Sequence, residues 1–484
     1  MLHDLLKKYK SFPVQVKASL WFLVCSFMQK GVAVITTPIF TRIMTTVEFG
    51  QYNVFSSWMG ILTVFVSLNL TAGVFTQGIV KFEENRAKFV SSLQGLTMVL
   101  VAIWTIVYML ASKFWNRLFS LTTVEMLVML ALIWMTAIFN FWAAEQRVKY
   151  KYRTLVILTI VVSVLQPCVS VFFVLQAKNK VLARILGMLL VDIIAYFGLF
   201  IVHVCKGKQL YDSFYWKYAL RFNLPLIPHY LSLTVLNSAD RIMIERIVGE
   251  GKAGIYSLAY SISMVMTLFN TALMSTISPW IYQKIKIKKV KDIEHIAYIS
   301  LVGIAGVNLL LIFLAPEIVR LFAPVEYYEA IWIIPPVAMS AYFMYSYDLF
   351  AKFQFYYEKT EYVMLASICG AILNVILNSI FIPQFGYFAA GYTTLACYIL
   401  FVAAHYMFMQ KVCKDYLDNV KVFDSKKIFG ITTIFVGIGF TIMCTYQYMV
   451  LRYVLLIVSA LIIFCHRQRI LEEIRMLLYT KLKK

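Results

Sequence analysis

Asp240, Arg241, Glu245 and Arg246 interrupt the stretch Leu233–Ser263, whose other residues read as membrane-spanning. A lone charge at the centre of a spanning helix costs roughly 2.5–3.5 kcal/mol on insertion scales, so such side chains face a partner or a wet cavity. On a helix, Thr234, Asn237, Ser238, Arg241 and Glu245 share one face, with Asp240 at its edge. Two readings stand. In one the cluster neutralises itself, Glu245 pairing with Arg241 and Asp240 bonding a neighbouring helix. In the other the face lines a polar cavity, with Asp240, Glu245 and Arg246 forming a charge network around Arg241.

A second stripe, Ser26, Lys30, Thr37 and Thr41, lies on the first apolar run. Lys30 is too deep to snorkel easily and has no acid within one turn, which favours a cation facing a cavity. Farther along, Ser367, Asn374 and Asn378 line a face ahead of Pro383-Gln384-Phe385-Gly386. Asparagine on a membrane helix serves more often as interhelical glue than as a ligand. Asp192, Asp348 and His229 are isolated polar residues with the same two readings, and Pro167, Pro225, Pro228, Pro335 and Pro336 are expected to bend their helices. No Walker loop, HExxH, GxSxG or aspartate-rich metal motif occurs, so no catalytic residue, metal or cofactor is assigned.

The elements that must position these residues are apolar helices. The chain is 61% hydrophobic, with a mean hydropathy of +0.76, far above a soluble average. Runs of spanning length centre near Met28, Leu62, Leu100, Met135, Leu165, Val191, Val235, Met266, Leu309, Ser340, Leu373, Cys397, Gly437 and Ile457. The expected fold is an all-α polytopic membrane protein of about fourteen spans. Lys and Arg number 33 in the termini and every second loop, against 10 in the alternate loops, which puts both termini in the cytoplasm. The net charge of +21 is then largely the cytoplasmic flank of the helices, and nucleic acid is not expected as a partner. Met1–Lys17 reads as a basic amphipathic lead, and the first apolar run as an uncleaved span. The eight cysteines are scattered without CxxC spacing, which supports neither a disulfide framework nor a zinc site.

Two places in the chain look like copies. Arg42-Ile43 with Gly50-Gln51-Tyr52 matches Arg246-Ile247 with Gly254-Ile255-Tyr256 at a common offset of 204 residues. The expected organisation is two six-helix lobes in a pseudo-twofold arrangement, parallel repeats about an axis along the membrane normal, plus two C-terminal helices. The boundaries are 1–205 for the first lobe and 206–222 for a basic, flexible cytoplasmic linker. The second lobe is 223–412, followed by 413–484 for the extra helices and basic tail. The external connections are all short.

Asn237-Ser238-Ala239-Asp240-Arg241-Ile242 running to Gly249, Gly254 and Tyr256 resembles the hallmark of polysaccharide-type flippases. Asn374 to Asn378 with Pro383 and Gly386, then Ala389-Ala390-Gly391-Tyr392-Thr393, is similar to it, as are Thr37-Pro38, Thr41-Arg42 and Glu48-Phe49-Gly50-Gln51-Tyr52. The chain resembles the Wzx-like branch of the multidrug/oligosaccharidyl-lipid/polysaccharide (MATE-like) superfamily along nearly its whole length. The resemblance implies a flippase rather than an enzyme. It would sit in a bacterial plasma membrane and carry undecaprenyl-diphosphate-linked oligosaccharide units for capsule, O-antigen or exopolysaccharide. Asp240, Arg241 and Arg42 match family motif positions. The expected substrate contacts are Lys30, Arg42, Arg241, Asn374 and Asn378. The resemblance also implies membrane lipids, a polysaccharide polymerase and a chain-length regulator as partners, with a proton or sodium gradient as the drive. A drug/cation antiporter of the same superfamily would want unpaired acids in its cavity, whereas the deepest unpaired charge here is basic. A membrane polymerase or ligase would be expected to show a long external loop.

Overall fold

The computed structural model describes residues 13–465 and 467–468. The basic lead through Lys10 and the tail from Arg469 lie outside the described residues. All regular structure among the described residues is helical, and the chain divides into two compact units, Met1–Glu245 and Arg246–Lys484.

The first unit carries α1 (Val14–Ile43), α2 (Thr46–Val66), α3 (Val74–Lys81), α4 (Arg86–Leu110), α5 (Ser112–Phe119), α6 (Thr123–Val148), α7 (Tyr152–Gln176), α8 (Lys180–Gly207) and α9 (Ser213–Asn223). It also takes nearly all of α10 (Ile227–Ile247). The second unit carries α11 (Glu250–Ser263), α12 (Met266–Lys286), α13 (Asp292–Phe313), α14 (Ala315–Phe322), α15 (Ile334–Tyr356), α16 (Thr360–Phe385), α17 (Phe388–Tyr416), α18 (Ser425–Cys444) and α19 (Met449–Cys465). Ten helical stretches among the described residues are long and apolar enough to cross a membrane, with α11 and α12 forming one of them. The other expected centres, Leu62, Val235, Ser340 and Ile457, fall in α2, α10, α15 and α19. The protein is a multi-pass helical membrane protein.

The element order repeats. α1 ends at Ile43 and α2 starts at Thr46; α10 ends at Ile247 and α11 starts at Glu250, the same 204-residue offset that the motifs show. The eight-residue amphipathic helices α5 and α14 each follow a long apolar helix, and each is followed by at least three more. Local chemistry explains several boundaries. Thr45 with Glu48, and Thr122 with Glu125, close reciprocal capping boxes that start α2 and α6. Asp212 accepts from the backbone N–H groups of Phe214 and Tyr215 and so starts α9.

Two expectations are revised. Of the five prolines expected to bend helices, Pro167 alone lies well inside one, in α7. Pro225 sits in the 3-10 turn Leu224–Leu226, Pro228 in the first turn of α10, and Pro335 and Pro336 in the first turn of α15. In α15 the missing N–H would have had no intrahelical partner, so proline starts the helix, whereas Pro225 lies in, and Pro228 just after, the 3-10 turn that interrupts a helical run continuing from α9 into α10. The linker is also not loose chain: its second half is α9, with Tyr215, Ala219 and Asn223 buried. Trp216 Nε1 donates to the Ser92 carbonyl at 2.9 Å, and Asn223 Nδ2 donates to the Leu68 carbonyl at 2.8 Å. Gly95 admits this contact, because a Cβ there would lie 2.0 Å from the Leu210 carbonyl oxygen.

Candidate functional site

The motif-bearing helix α10 lies antiparallel against α2 within the first unit. Arg241 Nη1 donates to Ser57 Oγ at 3.3 Å. One helical turn away, a Cβ added at Gly60 would sit 3.5 Å from the Thr234 methyl and 4.0 Å from Ser238 Oγ. The polar face of α10 therefore meets small residues of α2, which lets a guanidinium reach a hydroxyl across the interface. Asp240 is 1% exposed, Arg241 and Glu245 are half-buried, and Arg246 is exposed in the last turn. Asn237 is exposed, its amide donating to the Leu233 carbonyl at 2.7 Å.

Lys30 is exposed on α1 and makes no hydrogen bond or ion pair with a described residue. Among the described residues this cation has no counter-ion, on a helix that is largely apolar. Its charge therefore needs water or an anion. Arg42 is exposed near the end of the same helix, with Nη1 donating to the Pro38 carbonyl at 2.8 Å.

Asn374 and Asn378 are fully buried in the second unit. Asn378 Nδ2 donates to Asn374 Oδ1 at 3.2 Å, Asn374 Nδ2 donates to Thr394 Oγ1 at 3.3 Å, and the Thr393 hydroxyl donates to Asn378 Oδ1. These bonds join α16 to α17, so in this conformation both asparagines bind helices together. No hydrogen bond brings them to Lys30, whose side chain has none among the described residues.

Several charged groups escaped the sequence reading. Glu145 on α6 bonds Lys149 at 2.5 Å and His203 Nε2 at 3.2 Å, while His203 Nδ1 meets Gln94 Nε2 at 3.0 Å. A related set recurs 203 residues later as Asp348 and Lys352, 2.7 Å apart on α15, and near it His405 on α17, whose Nδ1 meets Gln354 Oε1 at 3.0 Å. Asp348 is thus not isolated, and neither is Asp192, which accepts from Gln166. The i, i+4 spacing of both acid–lysine pairs was the available signal. Arg184 of α8 lies 3.6 Å from the Phe40 ring centroid and 3.4 Å from that of Tyr52. Lys180 donates to the Ile43 carbonyl at 2.7 Å and lies 3.9 Å from Glu48. The motif Thr41–Tyr52 is therefore clamped by α8. In the second unit, Glu329 takes bonds from Lys252, at 2.5 Å, and Tyr387, and these hold its carboxyl below the usual carboxylate range.

Apolar helices carrying sparse charges on polar faces, in an element order that repeats, define a multi-pass helical membrane protein. Solved structures support that fold. A lipid II flippase MurJ in an inward closed conformation superposes with a TM-score of 0.70 at 15% identity, covering 93% of this chain and 99% of that one. An inward-facing multidrug resistance MATE transporter gives 0.59 at 12% identity, covering 81% and 96%. The chain belongs to the polysaccharide biosynthesis protein family, whose description matches residues 16–285, and the MatE description matches residues 225–380. A curated relative, "Lsg locus putative protein 1" of Haemophilus influenzae, is 25% identical over 204 residues, which is 40% of this chain and 50% of that protein. The chain thus spans about half the length of the curated relative it matches. These families and fold neighbours are transporters and flippases, not enzymes.

Proposed function

We propose that the protein moves an undecaprenyl-diphosphate-linked oligosaccharide from the cytoplasmic to the outer leaflet of a bacterial plasma membrane by alternating access, for surface polysaccharide assembly. The observation that carries the reading is Lys30, an exposed cation with no partner among the described residues on a largely apolar helix, within a chain of the polysaccharide biosynthesis family. In a low-dielectric cavity a positive charge concentrates an anionic head group, which a diphosphate supplies. Lys30 and Arg241 are assigned as diphosphate contacts, with Arg42 near the external end of the path. Asp240 and Glu245 tune Arg241, and Arg246 completes that charge network. The two lobes, 1–205 and 223–412, would alternate around the substrate while the prenyl chain stays in lipid. A proton or sodium gradient would drive the cycle, and a polymerase with its chain-length regulator would take the product.

The MatE match supports a second reading, a drug/cation antiporter. Complementation decides between them. Expression in a flippase-deficient strain should restore surface glycan, and the Lys30→Ala protein, present at normal level, should not. Unrestored glycan together with resistance to cationic drugs would replace the first reading by the second.

A further inference from the structure

A cavity of about 400 Å³ opens between α12 and α15, wholly within the second unit. Its wall on α12 is a ladder of hydroxyls, Thr267, Thr271, Ser275 and Ser278, running for about 16 Å at the helical rise of 1.5 Å per residue. Each hydroxyl hydrogen is already committed to a group three or four residues earlier in the chain. Thr267 donates to the Met264 carbonyl at 2.6 Å, Thr271 to Thr267 at 2.7 Å and Ser275 to Ala272 at 2.8 Å, while Ser278 donates to the Met274 sulfur at 3.6 Å. What the ladder offers a ligand is therefore oxygen lone pairs, because each hydroxyl oxygen keeps acceptor capacity after donating. Asn270 adds to this. It is 9% exposed, its Nδ2 donates to the Ala341 carbonyl at 2.7 Å, and its Oδ1 accepts from no described residue.

The charges of the cavity cancel. Asp348 and Lys352 are its charged lining residues, and they pair at 2.7 Å. A phosphate would have to take Lys352 from Asp348 and then sit against a row of acceptors. A cation would have to take Asp348 from Lys352. A neutral ligand rich in O–H or N–H donors pays neither penalty, and the apolar faces of Met344 and Tyr347 match the C–H face of a sugar ring.

We infer that this cavity is the subsite for the neutral, hydroxyl-rich sugar rings of the substrate, separate from the cations that would hold its diphosphate. The inference rests on the transport reading above and specifies which part of the substrate the second unit takes.

The test uses the purified full-length protein in lipid nanodiscs free of sugar detergents. Saturation-transfer NMR probes it with methyl glycosides of neutral hexoses and N-acetylhexosamines, and phosphorus line broadening with inorganic pyrophosphate. A glycoside should bind the wild type, and Thr271→Val with Ser275→Ala should weaken it about tenfold, the cost of losing acceptors for committed donors. Pyrophosphate binding should be unchanged by that pair and weakened by Lys30→Ala. A second variant, Asp348→Asn, frees Lys352, so the cavity should gain pyrophosphate binding and lose preference for glycoside. No glycoside binding to the wild type, or equal binding to wild type and the hydroxyl variants, overturns the inference. Glycoside binding that depends on the ladder, in a protein that fails to restore surface glycan in cells, would keep the subsite and discard the transport reading.

Discussion

At the scale of single residues, Lys30 and Asn378 are both polar groups on apolar helices, and their surroundings give them opposite expectations. Lys30 is exposed and has no described hydrogen-bond or ion-pair partner, so Lys30→Ala removes no polar contact among the described residues. Glycan export should vanish with protein level unchanged, whereas Lys30→Arg should retain export because the charge survives. Quantitative immunoblotting beside surface-glycan labelling checks both. Asn378 is the centre of a buried amide–hydroxyl chain from α16 to α17. Asn378→Leu should cost stability of about 0.6–1.7 kcal/mol, the range for interhelical hydrogen bonds in a bilayer, and lower accumulation together with export. A well-accumulated but inactive Asn378→Leu protein would return that residue to the substrate path. Asp240, at 1% exposure, belongs with the structural group. Asp240→Asn is expected to lower membrane accumulation as much as activity, and a well-expressed inactive protein would point instead to a coupling-ion site.

At the scale of elements, turns between helices are tied down by side chains from elements distant in sequence. The guanidinium of Arg184 lies between the rings of Phe40 and Tyr52, joining α8 to the α1–α2 turn. Arg184→Ala should lower thermal stability by about 2 kcal/mol, the value of a desolvated cation–π contact. Arg184→Lys should recover little, because a point charge cannot stack as a planar guanidinium does. Thermal melts in detergent separate the three proteins. In the second unit Glu329 bridges Lys252 and Tyr387 with its carboxyl pKa lowered. A depressed folded-state value means the contribution is present above the ordinary carboxylate range near 4.3 and is lost as pH falls through the folded value. Wild type should therefore lose its small stability advantage over Glu329→Gln on acidification, and a pH-independent difference between the two melts would contradict the bridge. The contribution is modest, since both ends of the Lys252 pair are substantially exposed.

At the scale of the whole molecule, the repeated element order suits alternating access by two lobes. The chain carries eight cysteines, buried Cys25, Cys397 and Cys413 among them, so the test needs a cysteine-free background. Cysteine pairs joining the external turns of the two lobes should stop export when crosslinked and release it on reduction. Undiminished export by fully crosslinked protein would exclude the rocking motion. α9 packs within the first unit through Trp216 and Asn223, so the second half of the basic linker is held by hydrogen bonds and not loose.

Hydropathy and the alternation of basic loops set the helical, multi-pass class from sequence alone, because a bilayer requires each span to be apolar and satisfied within itself. The repeated motif was legible because Arg-Ile and Gly-x-Tyr recur at one offset, and the helix breaks at Ile43–Thr46 and Ile247–Glu250 recur with them. The pairings were not legible. Whether Asn374 and Asn378 bond each other, whether Arg184 stacks on rings 130 or more residues earlier in the chain, and whether prolines bend helices or begin them depend on which helix lies alongside and where each one starts. A sequence shows which face of a helix is polar. Tertiary packing alone decides whether that face meets a neighbouring helix, as the stripe of α10 meets α2, or opens into a cavity, as the hydroxyl ladder of α12 does, because burial of a polar group is set by its neighbours in space.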